Sequence, residues 1–273
     1  MPATIHPDLA TAYLDLLKKA LVRWDEPEYA RVRPRQPLKR AVVSLVEQRG
    51  LEVVRVTPFD RSKRENGLDH PHRAETMIGL KRLDNLEHCI RTVVADGVPG
   101  DLIETGVWRG GACIFMRAAL LALGANDRTV WCADSFQGLP PADVEHYPED
   151  RAAAEWHAME HLRVSQAQVR ANFEKYGLLD DRVRFLEGWF RDTLPTAPIA
   201  RLAVLRLDGD LYESTMDALN ALYDKLSPGG FAIIDDYGMD EPTCRMAVEA
   251  FRASRGIAAP IVDIDGTGAF WRK

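Results

Sequence analysis

Apolar residues recur at helical spacing from Asp8 to Trp24, where Leu9, Tyr13, Leu16, Leu17, Ala20, Leu21 and Trp24 share one face. This predicts an amphipathic helix with Asp8, after Pro7, as its N-cap. Prolines and alternating charge between Asp25 and Pro37 break it. Leu38 to Gln48 resumes a helical pattern, and a charge-rich stretch runs from Asp60 to Arg73. From Thr76 to Asp96 a longer amphipathic helix is predicted on Met77, Ile78, Leu80, Leu83, Leu86 and Ile90, ended by Gly97 and Pro99. Residues 1 to about 75 therefore read as a helical N-terminal appendage.

Beyond this point the period changes. Short apolar runs at Leu102-Ile103, Val130–Ala133, Val183–Leu186, Leu202–Leu207 and Phe231–Ile234 alternate with helical patterns near Ala112–Leu123, Ser165–Tyr176, Tyr212–Leu226 and Pro242–Arg255. Strands that alternate with helices predict an α/β fold, a mostly parallel sheet covered on both faces. Two closing runs, Ile261–Ile264 and Ala269–Trp271, flank Asp265-Gly266-Thr267-Gly268 and predict an antiparallel C-terminal hairpin. Pro140 to Leu162 interrupts the alternation and is long for a connection, which marks residues 140–162 as a lid carrying His146, His157 and His161.

Composition narrows the function classes. Against 35 Lys and Arg stand 41 Asp and Glu, a formal net charge of −6, so there is no global electrostatic attraction to nucleic acid. The basic stretches Arg31–Arg40 and Arg61–Arg64 lack interleaved aromatics and read as solvated surface. Cys89, Cys113, Cys132 and Cys244 form no C-x-x-C pair and suit a reduced, cytoplasmic chain. No apolar run reaches the roughly 18 residues of a membrane span, and no secretory signal is expected. His70 and His72 lack a partner triad for a transition metal.

Three constellations carry chemistry. Glu104-Thr105-Gly106-Val107-Trp108-Arg109-Gly110-Gly111 follows a strand and opens a helix, a glycine turn that lets backbone approach a ligand. It is not G-x-G-x-x-G, and the carboxylate before its first glycine suits a cationic ligand better than a pyrophosphate. Asp134, followed by Ser135, ends the second strand, the position from which an acid accepts ribose hydroxyls. Asp208-Gly209-Asp210 and Asp235-Asp236 end two further strands. Carboxylates converging there hold a divalent cation, Mg²⁺ by preference, or else cap the helices that follow. No Walker motif, no G-x-S-x-G elbow and no Tyr with a Lys four residues later is present; the last of these counts against a nicotinamide oxidoreductase.

Taken in order, Thr76-Met77-Ile78-Gly79, Glu104 to Gly111, Ala133-Asp134-Ser135-Phe136, Gly188-Trp189-Phe190, Leu207-Asp208-Gly209-Asp210 and Ile234-Asp235-Asp236-Tyr237 resemble the macrocin O-methyltransferase family over residues 75 to 273. The resemblance implies a Rossmann-like class I methyltransferase domain over residues 76–273 that methylates a sugar hydroxyl on a natural product, macrolide- or aminocoumarin-like, with S-adenosylmethionine and Mg²⁺. A catechol-type substrate is the alternative within that chemistry. Glu104 would hold the amino acid end of the cofactor, helped by Thr105, Gly106 and the loop after it. Asp134 and Ser135 would take the ribose, Gly188, Trp189 and Phe190 would border the adenine, and Met77 would close over the cofactor. Trp108, Trp156 and Trp189 are expected as aromatic walls for a sugar or a planar aglycone, and Arg109 as a cofactor or a dimer contact. Asp208, Asp235 and Asp236 would bind Mg²⁺, with Asp208 also the base and His157 its rival. Residues 1–75 would make a dimer contact or an active-site cover.

Overall fold

The computed structural model describes residues 9–69 and 71–273. Asp8, the expected N-cap, and His70 lie outside the described residues. The chain begins with α1 (Leu9–Leu21), β1 (Glu28–Arg31), α2 (Pro37–Glu47), β2 (Val54–Thr57) and α3 (Arg61–Asn66). The alternating body follows as α4 (Leu80–Ala95), β3 (Asp101–Thr105), α5 (Gly111–Ala122), β4 (Val130–Asp134), α6 (Gln166–Lys175), β5 (Val183–Glu187) and α7 (Phe190–Thr193). It closes with β6 (Leu202–Leu207), α8 (Tyr212–Leu222), β7 (Leu226–Ile234), α9 (Thr243–Arg255), β8 (Val262–Asp263) and β9 (Ala269–Arg272).

Seven strands form one sheet in the order β5-β4-β3-β6-β7-β9-β8. The first five are parallel, and β9 runs antiparallel to both β7 and β8, the expected hairpin. Chain order leaves β3 in one direction to β4 and β5, and in the other to β6 and β7. The switch point therefore falls between β3 and β6, where open α/β sheets bind ligands at their carboxyl ends. Every residue of β6 is buried, because helices cover both faces. One face packs Leu14, Leu86, Ile90, Phe115 and Phe173 from α1, α4, α5 and α6. The other packs Leu219, Leu222, Val248 and Phe251 from α8 and α9.

The N-terminal region differs from a purely helical appendage. Its helix α1 packs on α5 and α4 and contributes Leu14, Leu17 and Leu21 to the core. Between α1 and α3, β1 and β2 pair antiparallel into a two-stranded sheet. These four-residue strands escaped the sequence pattern because β2 is exposed at every position and β1 at all but one, so neither shows an apolar alternation. Buried Glu75 secures the junction to the body. Its carboxylate meets Arg23 at 3.0 Å, Lys175 at 2.5 Å and the Tyr176 hydroxyl at 3.0 Å. Among the described residues, no helix is long and apolar enough to cross a membrane.

Candidate active site

A cleft open to solvent lies over the carboxyl ends of β3, β4 and β6. Of the expected cofactor residues, Met77, Gly106, Trp108, Asp134, Ser135, Trp189, Phe190 and Asp208 line it. Glu104, Thr105, Arg109 and Gly188 do not. Three residues with side chains adopt left-handed backbone here: Trp108 after β3 (φ 46°), Phe136 after β4 (φ 55°) and Asp210 after β6 (φ 57°). Such conformations cost about 1–3 kcal/mol each and persist where the surroundings enforce them.

The glycine turn is laced to the neighbouring strands. Asp134 accepts backbone N–H bonds from Val107 (2.7 Å), Trp108 (3.4 Å) and Phe136 (2.7 Å). A carboxylate offers about four lone-pair sites, so room for a further donor from the cleft remains. The Ser135 hydroxyl donates to the Gly138 carbonyl (2.8 Å) and accepts from the Gln137 N–H (3.0 Å); it shapes the loop that carries Leu139 and Pro140 into the cleft. Trp108 donates its indole N–H to the His161 carbonyl at 2.8 Å, and the Arg109 guanidinium stacks 4.2 Å above its ring. Arg109 also donates to the carbonyls of His72 and Ala74, which makes it a strap between the turn and the segment leading to Met77. Gly106 has φ 88°, and a Cβ there would stand 1.6 Å from the Asp208 carbonyl oxygen. Gly106→Ala is therefore expected to force the loops after β3 and β6 apart, destabilising the fold by at least about 1–3 kcal/mol, the usual range for overpacking. A thermal melt checks this; an unchanged midpoint would contradict the close approach.

Glu104 is placed differently from expectation. Its side chain is buried, bonded to the Arg206 guanidinium, and receives the Cys113 thiol at 2.9 Å. It is not among the residues that line the cleft, and burial, only partly offset by Arg206, pushes its pKa up to about 7. The reason is Arg206 itself, a charged residue inside an otherwise apolar central strand. It also meets Asp208 at 2.9 Å and Asp235, and so gathers three carboxylates, of which Asp208 lines the cleft.

The acidic cluster is likewise drawn differently. Carboxylate oxygens of Asp208, Asp210 and Asp236 lie within 4.8 Å of one another, whereas the third expected ligand, Asp235, is turned to two guanidiniums. Arg206 takes one of its oxygens and Arg82 the other, at 2.7 Å. Burial raises Asp235, but the two arginines outweigh it and hold its pKa below the usual carboxylate range. The other three shift upward. Burial and the Asp235 charge push Asp208 to about 6. Burial and Asp208 push Asp210 to about 8, and burial with Asp210 raises Asp236 well above its ordinary value. Mutual repulsion of this kind is what a divalent cation relieves, so the residues present fit Mg²⁺. Asp210 sits in the Asp208-Gly209-Asp210 motif, yet the sequence did not single it out from its neighbours. Arg206 was visible only as a lone charge in a strand buried on both faces.

The histidines of the lid stand outside this cluster. His157 bonds through Nδ1 to the Ala154 carbonyl at 2.8 Å and borders an adjoining depression, with Phe136 and Arg163, that shares Leu139 and Trp189 with the cleft. Trp156 does not line the cleft either. From the lid and the residues flanking it, Leu139, Pro140 and Leu162 do. Buried Asp150 accepts the N–H groups of Tyr212 (2.6 Å) and Glu213 (3.1 Å), which caps α8 from outside and fastens the segment over the site. Among the described residues, His72 joins no group with metal-ligand geometry.

Comparison with known proteins adds an independent line. The family model described as Macrocin-O-methyltransferase (TylF) matches residues 10–273. The chain is 61% identical over 216 residues (78% of this chain, 81% of the relative) to the 8-demethyl-8-(2,3-dimethoxy-alpha-L-rhamnosyl)-tetracenomycin-C 4'-O-methyltransferase of Streptomyces olivaceus. It is 52% identical over 241 residues (86% and 94%) to the mycinamicin III 3''-O-methyltransferase of Micromonospora griseorubida. Among solved structures, the O-methyltransferase NovP superposes with a TM-score of 0.83 at 46% identity, covering 97% of this chain and 99% of NovP.

Proposed function

The chain belongs to the macrocin O-methyltransferase family and is an O-methyltransferase, and from that premise we propose that it methylates a hydroxyl of a sugar carried on a glycosylated natural product, using S-adenosylmethionine and Mg²⁺. The observation that carries the reading is the approach of buried Asp236 to Asp208 and Asp210, two carboxylates that line the cleft at the switch point where such sheets bind their ligands. The relatives support the sugar, since one is named for a rhamnosyl tetracenomycin and the other for mycinamicin III.

S-adenosylmethionine, when bound, supplies an electrophilic methyl group on a positively charged sulfur. Met77, Trp108, Asp134, Ser135, Trp189 and Phe190 would enclose it, with Asp134 accepting from ribose and Trp189 and Phe190 flanking the adenine. Glu104, at the end of β3 and paired with Arg206, would support the turn beside the amino acid end of the cofactor. Asp208 and Asp236 would hold Mg²⁺, which would supply Lewis acidity that lowers the pKa of a sugar hydroxyl. Asp208 has one oxygen pinned by Arg206. Asp210 lines the cleft, and among the described residues no donor reaches its carboxylate, so Asp210 rather than Asp208 is placed to take the hydroxyl proton. As the new O–C bond forms the C–S bond breaks, leaving a neutral thioether. Alignment of oxygen, methyl and sulfur is then the main contribution of the cleft walls. Leu139, Pro140 and Leu162 exclude water from above, which gives residues 140–162 the role of a lid on the methyl-transfer domain, 76–273.

The N-terminal 75 residues would serve assembly. On α2, Leu38, Val42 and Leu45 follow i, i+4, i+7 spacing and are 79%, 57% and 52% exposed, an apolar stripe suited to a second copy. Light scattering is expected to give twice the 30.6 kDa chain mass, and Val42→Glu with Leu45→Glu should return it to the monomer value; a monomeric wild type refutes the pairing. Buried free thiols at all four cysteines fit a cytoplasmic setting.

Calorimetric titration with S-adenosylhomocysteine and, separately, NAD, each with Mg²⁺ and with chelator, tests the assignment. Micromolar binding of the first ligand alone is expected. Glycosides screened with the loaded enzyme should then gain one methyl by mass spectrometry. Binding of NAD alone would overturn the reading.

A further inference from the structure

The loop that follows β7 is tied to the tip of the C-terminal hairpin at two points. One is the backbone bond from Gly238 N–H to the Thr267 carbonyl, at 2.8 Å. The other runs through side chains. Arg82, in the first turn of α4, donates Nη1 to Asp235 (2.7 Å) and Nε to Asp265 (3.0 Å). Asp265 has no exposed side-chain surface, and its other oxygen accepts the N–H groups of Thr267 (3.1 Å) and Gly268 (2.8 Å). Every part of this relay is pinned. Arg82 threads a slot between Gly67 and Gly268, where an added Cβ would stand 2.6 Å from its Nη2 and 2.9 Å from its Cδ. Larger residues would close the slot, so glycine on both sides is what admits the guanidinium.

We propose that Arg82 and Asp265 are positioning residues for the metal centre. Arg82, oriented by Asp265, sets the direction of Asp235 and thereby the placement of its neighbour Asp236 beside Asp208 and Asp210. Neither residue lines the cleft, so both act through the Asp235-Asp236 loop. The inference rests on the metal-dependent reading of the site given above. It adds that metal affinity is set from the far edge of the sheet, by a hairpin that touches no reactant. A planar guanidinium bridging two carboxylates is not replaced by an ammonium, which presents a point charge to one of them.

The test is Mn²⁺ binding, measured by electron paramagnetic resonance and calorimetry on the full chain without substrate, beside S-adenosylhomocysteine binding. Arg82→Gln is expected to weaken Mn²⁺ binding at least tenfold while S-adenosylhomocysteine affinity stays within about threefold. Arg82→Lys should recover only part of the loss. Asp265→Asn, which keeps the hairpin's size and removes its charge, should weaken Mn²⁺ less than Arg82→Gln and guards against a misfolded Arg82 variant. Mn²⁺ binding at wild-type strength in Asp265→Asn and in whichever Arg82 variants fold overturns the inference alone. Equal loss of both ligands in Asp265→Asn also overturns it, since that marks a merely structural role. A wild-type chain that binds S-adenosylhomocysteine but no Mn²⁺ overturns the metal reading and this inference with it, and one that binds neither overturns the function itself.

Discussion

Asp210→Asn is expected to lower turnover by about 10²–10⁴-fold, the range that a positioned general base contributes, while S-adenosylhomocysteine still binds within about threefold of wild type. The side chain keeps its size, so the loop after β6 and its left-handed backbone (φ 57°) persist. What disappears is a cleft-lining carboxylate that no donor among the described residues engages, the group free to take the hydroxyl proton. Asp208→Asn should behave differently: its signature is weakened metal binding, because Asp208, oriented by Arg206, is proposed to hold the ion together with Asp236. His157→Ala should change the rate by no more than about threefold, since its ring is turned to the Ala154 carbonyl outside the cleft. Single-turnover methyl transfer, followed by mass spectrometry, separates the three variants. Full activity in Asp210→Asn would return the base to Asp208; a large loss in His157→Ala would return it to the lid.

Arg206→Met should be the most damaging single change to stability. Methionine fills similar volume, but Glu104, Asp208 and Asp235 lose the guanidinium that all three share. Removing one partner of a buried ion pair costs about 3–5 kcal/mol because it strands buried charge. For a chain of this size that is a fall in melting temperature on the order of 10 °C. The defect has a pH sign. Burial already holds Glu104 at about 7 in the folded state, above an unfolded carboxylate near 4.3. Loss of Arg206 raises such groups further. The folded variant then binds more protons than the unfolded chain, and stability falls as pH rises through that interval. Calorimetric melts should therefore show a larger deficit at pH 8 than at pH 6. A deficit that is absent, or that grows toward acid, would refute the shared-guanidinium account.

How much of this was legible beforehand differs from element to element. The runs Val130–Ala133 and Leu202–Leu207 announced β4 and β6 because both faces of those strands are buried and, Arg206 apart, apolar residues fill them. The hairpin turn Asp265-Gly266-Thr267-Gly268 was visible for its glycines, but its service to Arg82 was not. The strands β1 and β2 were invisible, since exposed strands carry no alternation to read. Asp134 was read from the end of its strand, Met77 and Trp189 came from the family resemblance, and all three line the cleft. Glu104 and Asp235 were likewise read from strand ends, yet neither lines the cleft.

The sequence by itself determined the order of elements, the parallel sheet with its antiparallel close, and the acidic strand ends at which chemistry collects. Those features follow from periodicity and from residue types at element boundaries, which act over a few neighbouring positions. Only the tertiary structure decided which carboxylates meet. Asp208 and Asp210 join Asp236, while Asp235 joins Arg82, 153 residues away in the chain, and Arg82 in turn joins Asp265, 183 residues away. The physical reason is that a buried charge takes its direction from whichever opposite charge the packing brings beside it, and that neighbour belongs to the fold rather than to the local sequence.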